Sequence, residues 1–291
     1  MPATLPAALP AVLSTYLGVY VPGRPAYRPI AEIAAAAGKK PNLAEYVTGW
    51  DEPFAARYAQ TLHKHGVTPL VQIDPTLASV SAIASGYDDD YLRQYADSVH
   101  EYGHPVVIGF GHEMNASWYS WGYGHTAPST FVVGWRHIVT LFREQGVNNV
   151  AWLWTIQADQ PGTGPISSWW PGPSYVTWVG IDGFYNQPSD TFDKVFVPTI
   201  DQVRNFTSKP ILLSETAVAR HANQYANIRN LFGAVARYQM LGLVWFNNDE
   251  SQQATTRGDP AIVRQDWRLE DSTLAEQAFR LGVSGLRLVQ P

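Results

Sequence analysis

Two glutamates carry the chemistry this chain can do. Glu113 lies in Gly111-His112-Glu113-Met114-Asn115, directly after the apolar run from Pro105 to Phe110, and Trp118-Tyr119-Ser120-Trp121-Gly122 follows it. Glu215 closes a second apolar run, Pro210-Ile211-Leu212-Leu213-Ser214-Glu215-Thr216. An apolar run that ends in a carboxyl places that carboxyl at the mouth of a buried strand. Two such groups in an aromatic-rich chain fit the cleavage of a glycosidic bond. One carboxylate attacks the anomeric carbon; the other protonates the leaving oxygen and then activates water. His112 precedes Glu113 directly, so on a regular strand it points to the other face. It reaches a sugar only where the strand end loses its alternation. His112, Glu113 and His125 are near in sequence, but no His-x-x-x-His or ligand-spaced carboxylate cluster occurs. The expectation is therefore no metal and no cofactor.

These residues need elements to hold them. Eight apolar or β-rich runs recur at long spacing: Tyr16 to Val21, Tyr46 to Trp50, Pro69 to Ile73, Val106 to Gly111, Val150 to Thr155, Trp178 to Phe184, Ile211 to Ser214 and Leu243 to Phe246. Near-continuous apolar runs predict strands buried on both faces, as in a parallel sheet. Helical spacing lies between them: Phe54, Tyr58 and Leu62; Trp135, Ile138, Val139 and Phe142; Ile228, Leu231, Phe232 and Val235. Gly66, Gly103, Gly146 and Gly242 stand where helix C-terminal glycines belong. The alternation predicts an α/β fold, a single-domain (β/α)8 barrel over 1–291 with its core at about 14–284. A doubly wound sheet is the alternative, weakened by the lack of a Gly-x-Gly-x-x-Gly or P-loop. In a barrel, strand ends four and seven open onto one pocket. The segment Gln160 to Ser174, rich in Pro, Gly and Trp, is expected as an active-face loop.

Bulk composition narrows the partner. Charged residues are 15% of the 291, aromatics 13% with 11 Trp, and the net charge is −5. Low charge with many tryptophans fits a neutral ligand such as a polysaccharide or oligosaccharide. Nucleic acid and an anionic membrane are not expected, since no Lys/Arg cluster occurs. The lack of cysteine excludes disulfides and thiolate zinc sites. No run of 18 apolar residues occurs, so no span is expected. The start, Met1-Pro2-Ala3-Thr4-Leu5-Pro6, has no basic n-region or apolar h-region. The expectation is a monomeric, secreted bacterial enzyme whose signal peptide is not part of this chain.

At these residues the chain resembles glycoside hydrolase family 26, a retaining barrel family whose two catalytic glutamates end strands four and seven. The resemblance runs from Tyr16 to Leu281. It is carried by His112-Glu113-Met114-Asn115 with Trp118 and Trp121-Gly122, by Trp170-Pro171-Gly172 with Trp178-Val179-Gly180-Ile181-Asp182-Gly183, by Lys209-Pro210-Ile211 with Ser214-Glu215-Thr216, and by Val244-Trp245-Phe246-Asn247 with Asp266-Trp267-Arg268-Leu269. It implies Glu113 as general acid/base, Glu215 as nucleophile and Trp245 as the aromatic platform under the sugar at the cleavage point. His112 and Trp118 would line the same subsite, and Asn115, Trp121 and Trp170 are further substrate-binding candidates. A tyrosine after strand six usually bonds the nucleophile. Phe184 stands where that Tyr is expected, and Tyr185 is the candidate to replace it. Family mannanases commonly carry Arg and Pro before His-Glu, whereas this chain has Gly109-Phe110-Gly111. That version resembles members acting on mixed-linkage β-glucan. The expected activity is a retaining endo-β-glycanase on β-1,4-linked hemicellulose, either β-mannan or mixed-linkage β-1,3-1,4-glucan. Alternatives are action on another β-glycan such as β-1,3-xylan, or a barrel that binds carbohydrate without turnover.

Overall fold

The computed structural model describes residues 14–23, 25–256 and 259–289; Met1 to Pro6 lie outside them. Eight parallel strands form the sheet: β1 (Ser14–Tyr20), β2 (Leu43–Gly49), β3 (Thr68–Asp74), β4 (Val106–Phe110), β5 (Val150–Gln157), β6 (Trp178–Tyr185), β7 (Ile211–Val218) and β8 (Gly242–Phe246). The ring closes through β1 and β8, from Tyr16 opposite Gly242 to Tyr20 opposite Phe246. A hairpin of β9 (Asp249–Thr256) and β10 (Asp259–Asp266) follows β8, and β11 (Arg287–Leu288) pairs with the start of β1. Around the ring run α1 (Tyr27–Ala37), α2 (Ala56–Lys64), α3 (Val80–Ala84), α4 (Asp89–Tyr102), α5 (Pro128–Glu144), α6 (Phe192–Val195), α7 (Val197–Arg204), α8 (Gln224–Arg237) and α9 (Thr273–Ser284). This is the (β/α)8 barrel that the alternating pattern predicts. No described helix is long and apolar enough to cross a membrane.

The helical periodicities bury as expected. Trp135, Ile138, Val139 and Phe142 form the covered face of α5, which starts on Pro128, a residue whose fixed φ suits a first turn. Ile228, Leu231, Phe232 and Val235 do the same for α8. Phe54 is buried but precedes α2 rather than belonging to it. Gly66, Gly103 and Gly146 end helices in the left-handed region, at φ of 65°, 68° and 75°. Gly242 differs from expectation. It opens β8, and a Cβ there would sit 2.0 Å from the Tyr16 carbonyl oxygen. Gln239, at φ 52°, makes the left-handed turn after α8 instead.

The barrel interior has two chemically distinct layers. At the N-terminal end Tyr16, Leu43, Leu70, Val107, Leu153, Trp178, Leu212 and Val244 make an apolar plug. One turn of the pleat higher the interior is polar: the Gln72 side-chain amide donates to Glu45 Oε1 (3.3 Å) and Thr155 Oγ1 (3.1 Å). Glycines make room for this layer. A Cβ at Gly109 would lie 1.9 Å from Gln72 Oε1, and one at Gly180 2.5 Å from Ser214 Oγ. Gln72 thus fills the space beside Gly109.

Candidate active site

β4 ends at Phe110, one residue before the expected Gly111, because Gly111 turns into the left-handed region at φ 53°. Glu113 is also left-handed at φ 53°, a conformation that costs a non-glycine residue about 1–3 kcal/mol. Its amide donates to the Thr155 carbonyl at 3.0 Å, which holds the turn against β5. The two irregular residues flank His112, so strand alternation is lost. His112 and Glu113 both come to lie in the same buried chamber, each 6% exposed. On β7 a register shift toward β6 and β8 around Ser214–Glu215 has the same effect. Ser214 Oγ donates to Asp182 Oδ1 at 2.6 Å, and the next residue, Glu215, also faces the interior, where it feels Asp182, Glu45 and Glu113.

The chamber is crowded with acid. Burial, then Asp182, Glu45 and Glu113, push the Glu215 carboxyl well above its ordinary range. Burial and Glu113 do the same to Asp182, and burial and Asp182 to Glu45. Carboxyls held this close share protons, since all of them cannot ionise together. His112 is the compensating cation. Burial opposes its charge, but Asp74, 2.8 Å from Nδ1, with Glu113 and Asp182 behind it, outweighs burial and pushes the imidazole up to about 10.

The expected site residues divide into three groups. Trp118 is half-exposed at the rim, and its indole N–H donates to Glu113 Oε2 at 2.8 Å. Trp121 and Asn115 are buried behind the chamber. The Trp121 indole donates to the His112 carbonyl at 2.9 Å. The Asn115 amide is spent on the backbone of Gln157, donating to its carbonyl and accepting from its N–H, which ties the turn to β5. Asn115 and Trp121 therefore shape the turn instead of facing a sugar.

Trp170, Tyr185 and Trp245, expected to bind substrate, are directed away from the chamber. The loop Gln160 to Ser174 braces the turn through Gly162 and Gly164, which bond Ser117 and Asn115, but then folds back over the helices. Trp170 packs edge-on against Trp154 and beside Phe206 in the outer layer, away from the glutamates. Tyr185 alternates outward from Asp182 and Phe184, and its hydroxyl donates to Asn230 on α8 at 3.0 Å. Trp245 is fully buried on the outer face of β8, edge-on to Phe279 of α9, with its indole N–H on the Trp267 carbonyl at 3.0 Å. A sugar cannot reach it. Trp245→Ala is expected to cost about 3–5 kcal/mol of stability, as for other buried tryptophans. Denaturant unfolding measures it; a variant of wild-type stability but weakened glycan binding would return Trp245 to the site.

Other residues take the vacated places. Tyr20 stacks on Phe246 (4.7 Å, 6°), and Phe184 meets Phe246 edge-on (5.5 Å), an aromatic wall at the ends of β1, β6 and β8. Asp74, Asp182 and Tyr119 join the chamber itself. The signal for Asp74 is in the sequence, because Gln72-Ile73-Asp74 is also a strand end that finishes in a carboxyl, whereas Asp182 lies within β6 and reaches the chamber by facing the barrel interior. Tyr119 carried no such signal.

The glycosyl hydrolase family 26 model matches residues 72–272, more than half of the chain. Endoglucanase H of Acetivibrio thermocellus is 25% identical over 278 residues, which is 90% of this chain and 29% of that protein. A mannan endo-1,4-beta-mannosidase of Bacillus subtilis is 24% identical over 176 residues, 57% of this chain and 45% of that one. The chain thus spans less than half the length of either relative. A Cellulomonas fimi endo-beta-1,4-mannanase double mutant has the same fold, with a TM-score of 0.70 at 15% identity, over 95% of this chain and 72% of that one.

Proposed function

The chain belongs to glycosyl hydrolase family 26, and on that premise we propose that it is an extracellular, retaining endo-β-glycanase acting on β-1,4-linked hemicellulose, β-mannan or mixed-linkage β-glucan. The reading rests on one observation above all. Glu113, just beyond β4, and Glu215, in the C-terminal half of β7, share a chamber in which each is within electrostatic reach of the other. In this reading Glu215 attacks the anomeric carbon while Glu113 protonates the departing oxygen; Glu113 then takes a proton from the water that releases the sugar. The carboxylate of Glu215, desolvated and crowded by other acids, loses its unfavourable charge as the covalent bond forms. Trp118 at the rim holds the Glu113 carboxyl, and the Tyr20–Phe246 wall offers apolar ring faces to the C–H face of a pyranose.

The substrate is tested by incubating the protein with mannan, galactomannan, barley β-glucan, lichenan and β-1,3-xylan and sizing the products. Mixed oligosaccharides from mannan or β-glucan are expected. Release of single sugars alone would refute endo action, and cleavage of xylan alone would refute the assigned linkage. Binding without new reducing ends would make the barrel a lectin.

A further inference from the structure

We propose that Tyr123 completes, with Trp118, an aromatic platform for the sugars on the leaving-group side of the cleaved bond, and that this platform governs the grip on long uncharged glycans. The proposal rests on the glycosidase reading above.

Both rings stand on one ribbon. Ala116 and Thr163 form an antiparallel bridge between the turn after β4 and the loop after β5. The Ser117 amide donates to the Gly162 carbonyl at 3.1 Å, and the Gly164 amide to the Asn115 carbonyl at 2.7 Å. Gly162 and Gly164 flank the bridged Thr163, so they present one face of the ribbon. Trp118 and Tyr123 cover that face. A Cβ at Gly162 would lie 3.8 Å from Trp118 Cζ3, and one at Gly164 would collide with the Tyr123 ring. Glycine thus lets the Tyr123 ring lie directly on the backbone. The Tyr123 amide, donating to the Ala116 carbonyl at 2.9 Å, fixes its place. Even so held, Trp118 is 46% and Tyr123 42% exposed. Rings backed by main chain and otherwise open suit the C–H face of a pyranose.

Position and charge name the occupant. The Trp118 indole donates to Glu113 Oε2 at 2.8 Å, so the platform begins beside the group that protonates the leaving oxygen. β4 stands opposite β8 on the eight-strand ring, and the Tyr20–Phe246 wall lies on the β1–β8 side. A glycan whose attacked sugar rests on that wall runs its departing sugars across the mouth toward Trp118 and then Tyr123. The glycines beneath the rings are two positions apart, about 7 Å of extended chain, a span on the scale of neighbouring sugars. No Lys, Arg, Asp or Glu occurs from Met114 to Trp135 or from Gln160 to Ile181. An uncharged glycan fits such a rim, whereas a uronic acid polymer finds no cation in these segments.

Tyr123→Ala removes the outer ring. On the polysaccharide that the protein cleaves, kcat/KM should fall about five- to thirtyfold, mainly through KM, from the lost burial of one ring face. Aryl oligosaccharides, whose leaving group ends short of Tyr123, should lose much less. Tyr123→Phe, which restores the ring, should recover most of the loss. A purely structural role would lower Tm and would weaken action on both substrate types alike. Equal losses on both types, an unchanged KM, or a Phe variant as impaired as the Ala variant would overturn the assignment. If the wild-type protein cleaves no glycan, the glycosidase reading fails, and calorimetry with mannohexaose and a mixed-linkage β-glucan hexasaccharide decides the platform. A Kd raised by the same factor in Tyr123→Ala upholds it; an unchanged Kd, or no binding by the wild type, rejects it.

Discussion

Glu215→Ala is expected to abolish turnover, by a factor on the order of 10⁴ or more, as when a nucleophile is deleted from a two-step mechanism. The fold should survive, and stability should rise. Burial and the neighbouring acids raise the Glu215 carboxyl in the folded state. The native protein therefore binds this proton more tightly than the unfolded chain does. Its contribution is fully present below the ordinary carboxyl pKa and is lost as the pH climbs through the raised folded value. Above that value the wild type holds a buried, repelled charge that the variant lacks. The gain in Tm from Glu215→Ala should accordingly be larger at pH 8 than at pH 4. Substantial residual activity on polysaccharide would remove Glu215 as nucleophile. A Tm that falls equally at both pH values would show that the side chain supports the fold and does not strain it.

Glu113→Ala is expected to separate substrates by leaving group. Natural glycans leave as alkoxides and need the proton; their turnover should fall by about 10²–10⁴-fold. Aryl glycosides with acidic phenols leave unaided, so their first step should be nearly spared while the second, which needs the base, slows. Azide, which needs no deprotonation, should then restore turnover and give the β-glycosyl azide. Equal losses on both substrate types, with no azide effect, would sink the acid/base role. Trp118→Phe provides a comparison, because it keeps an aromatic rim but removes the N–H that now engages Glu113 Oε2. Its effect should be far smaller than that of removing the carboxyl.

Much of this molecule was legible as a string. All eight strands and the buried faces of α5 and α8 follow from runs and periods, since burial of apolar area is a local property of the pattern. The expected substrate platform was less legible. Trp245 was placed by its motif, but alternation along β8 puts Val244 in the barrel plug and Trp245 against α9, so an aromatic one position on, Phe246, faces the mouth. The same parity turns Tyr185 to Asn230. Trp170 lies outside the site for another reason: a loop's path over the surface depends on long-range contacts, here those with Trp154 and Phe206, that no local period encodes.

The sequence by itself determined which apolar runs close on carboxyls, and so that Glu113 and Glu215 belong to one end of one barrel. It could not determine that His112 and Glu113, or Ser214 and Glu215, face the same way. A regular strand sends consecutive side chains to opposite faces. Only the left-handed backbone at Gly111 and Glu113, held by the Thr155 carbonyl, and the register shift in β7 bring both members of each pair into one chamber. Those irregularities are fixed by neighbouring strands. The acid cluster and its single imidazolium are therefore properties of the closed barrel.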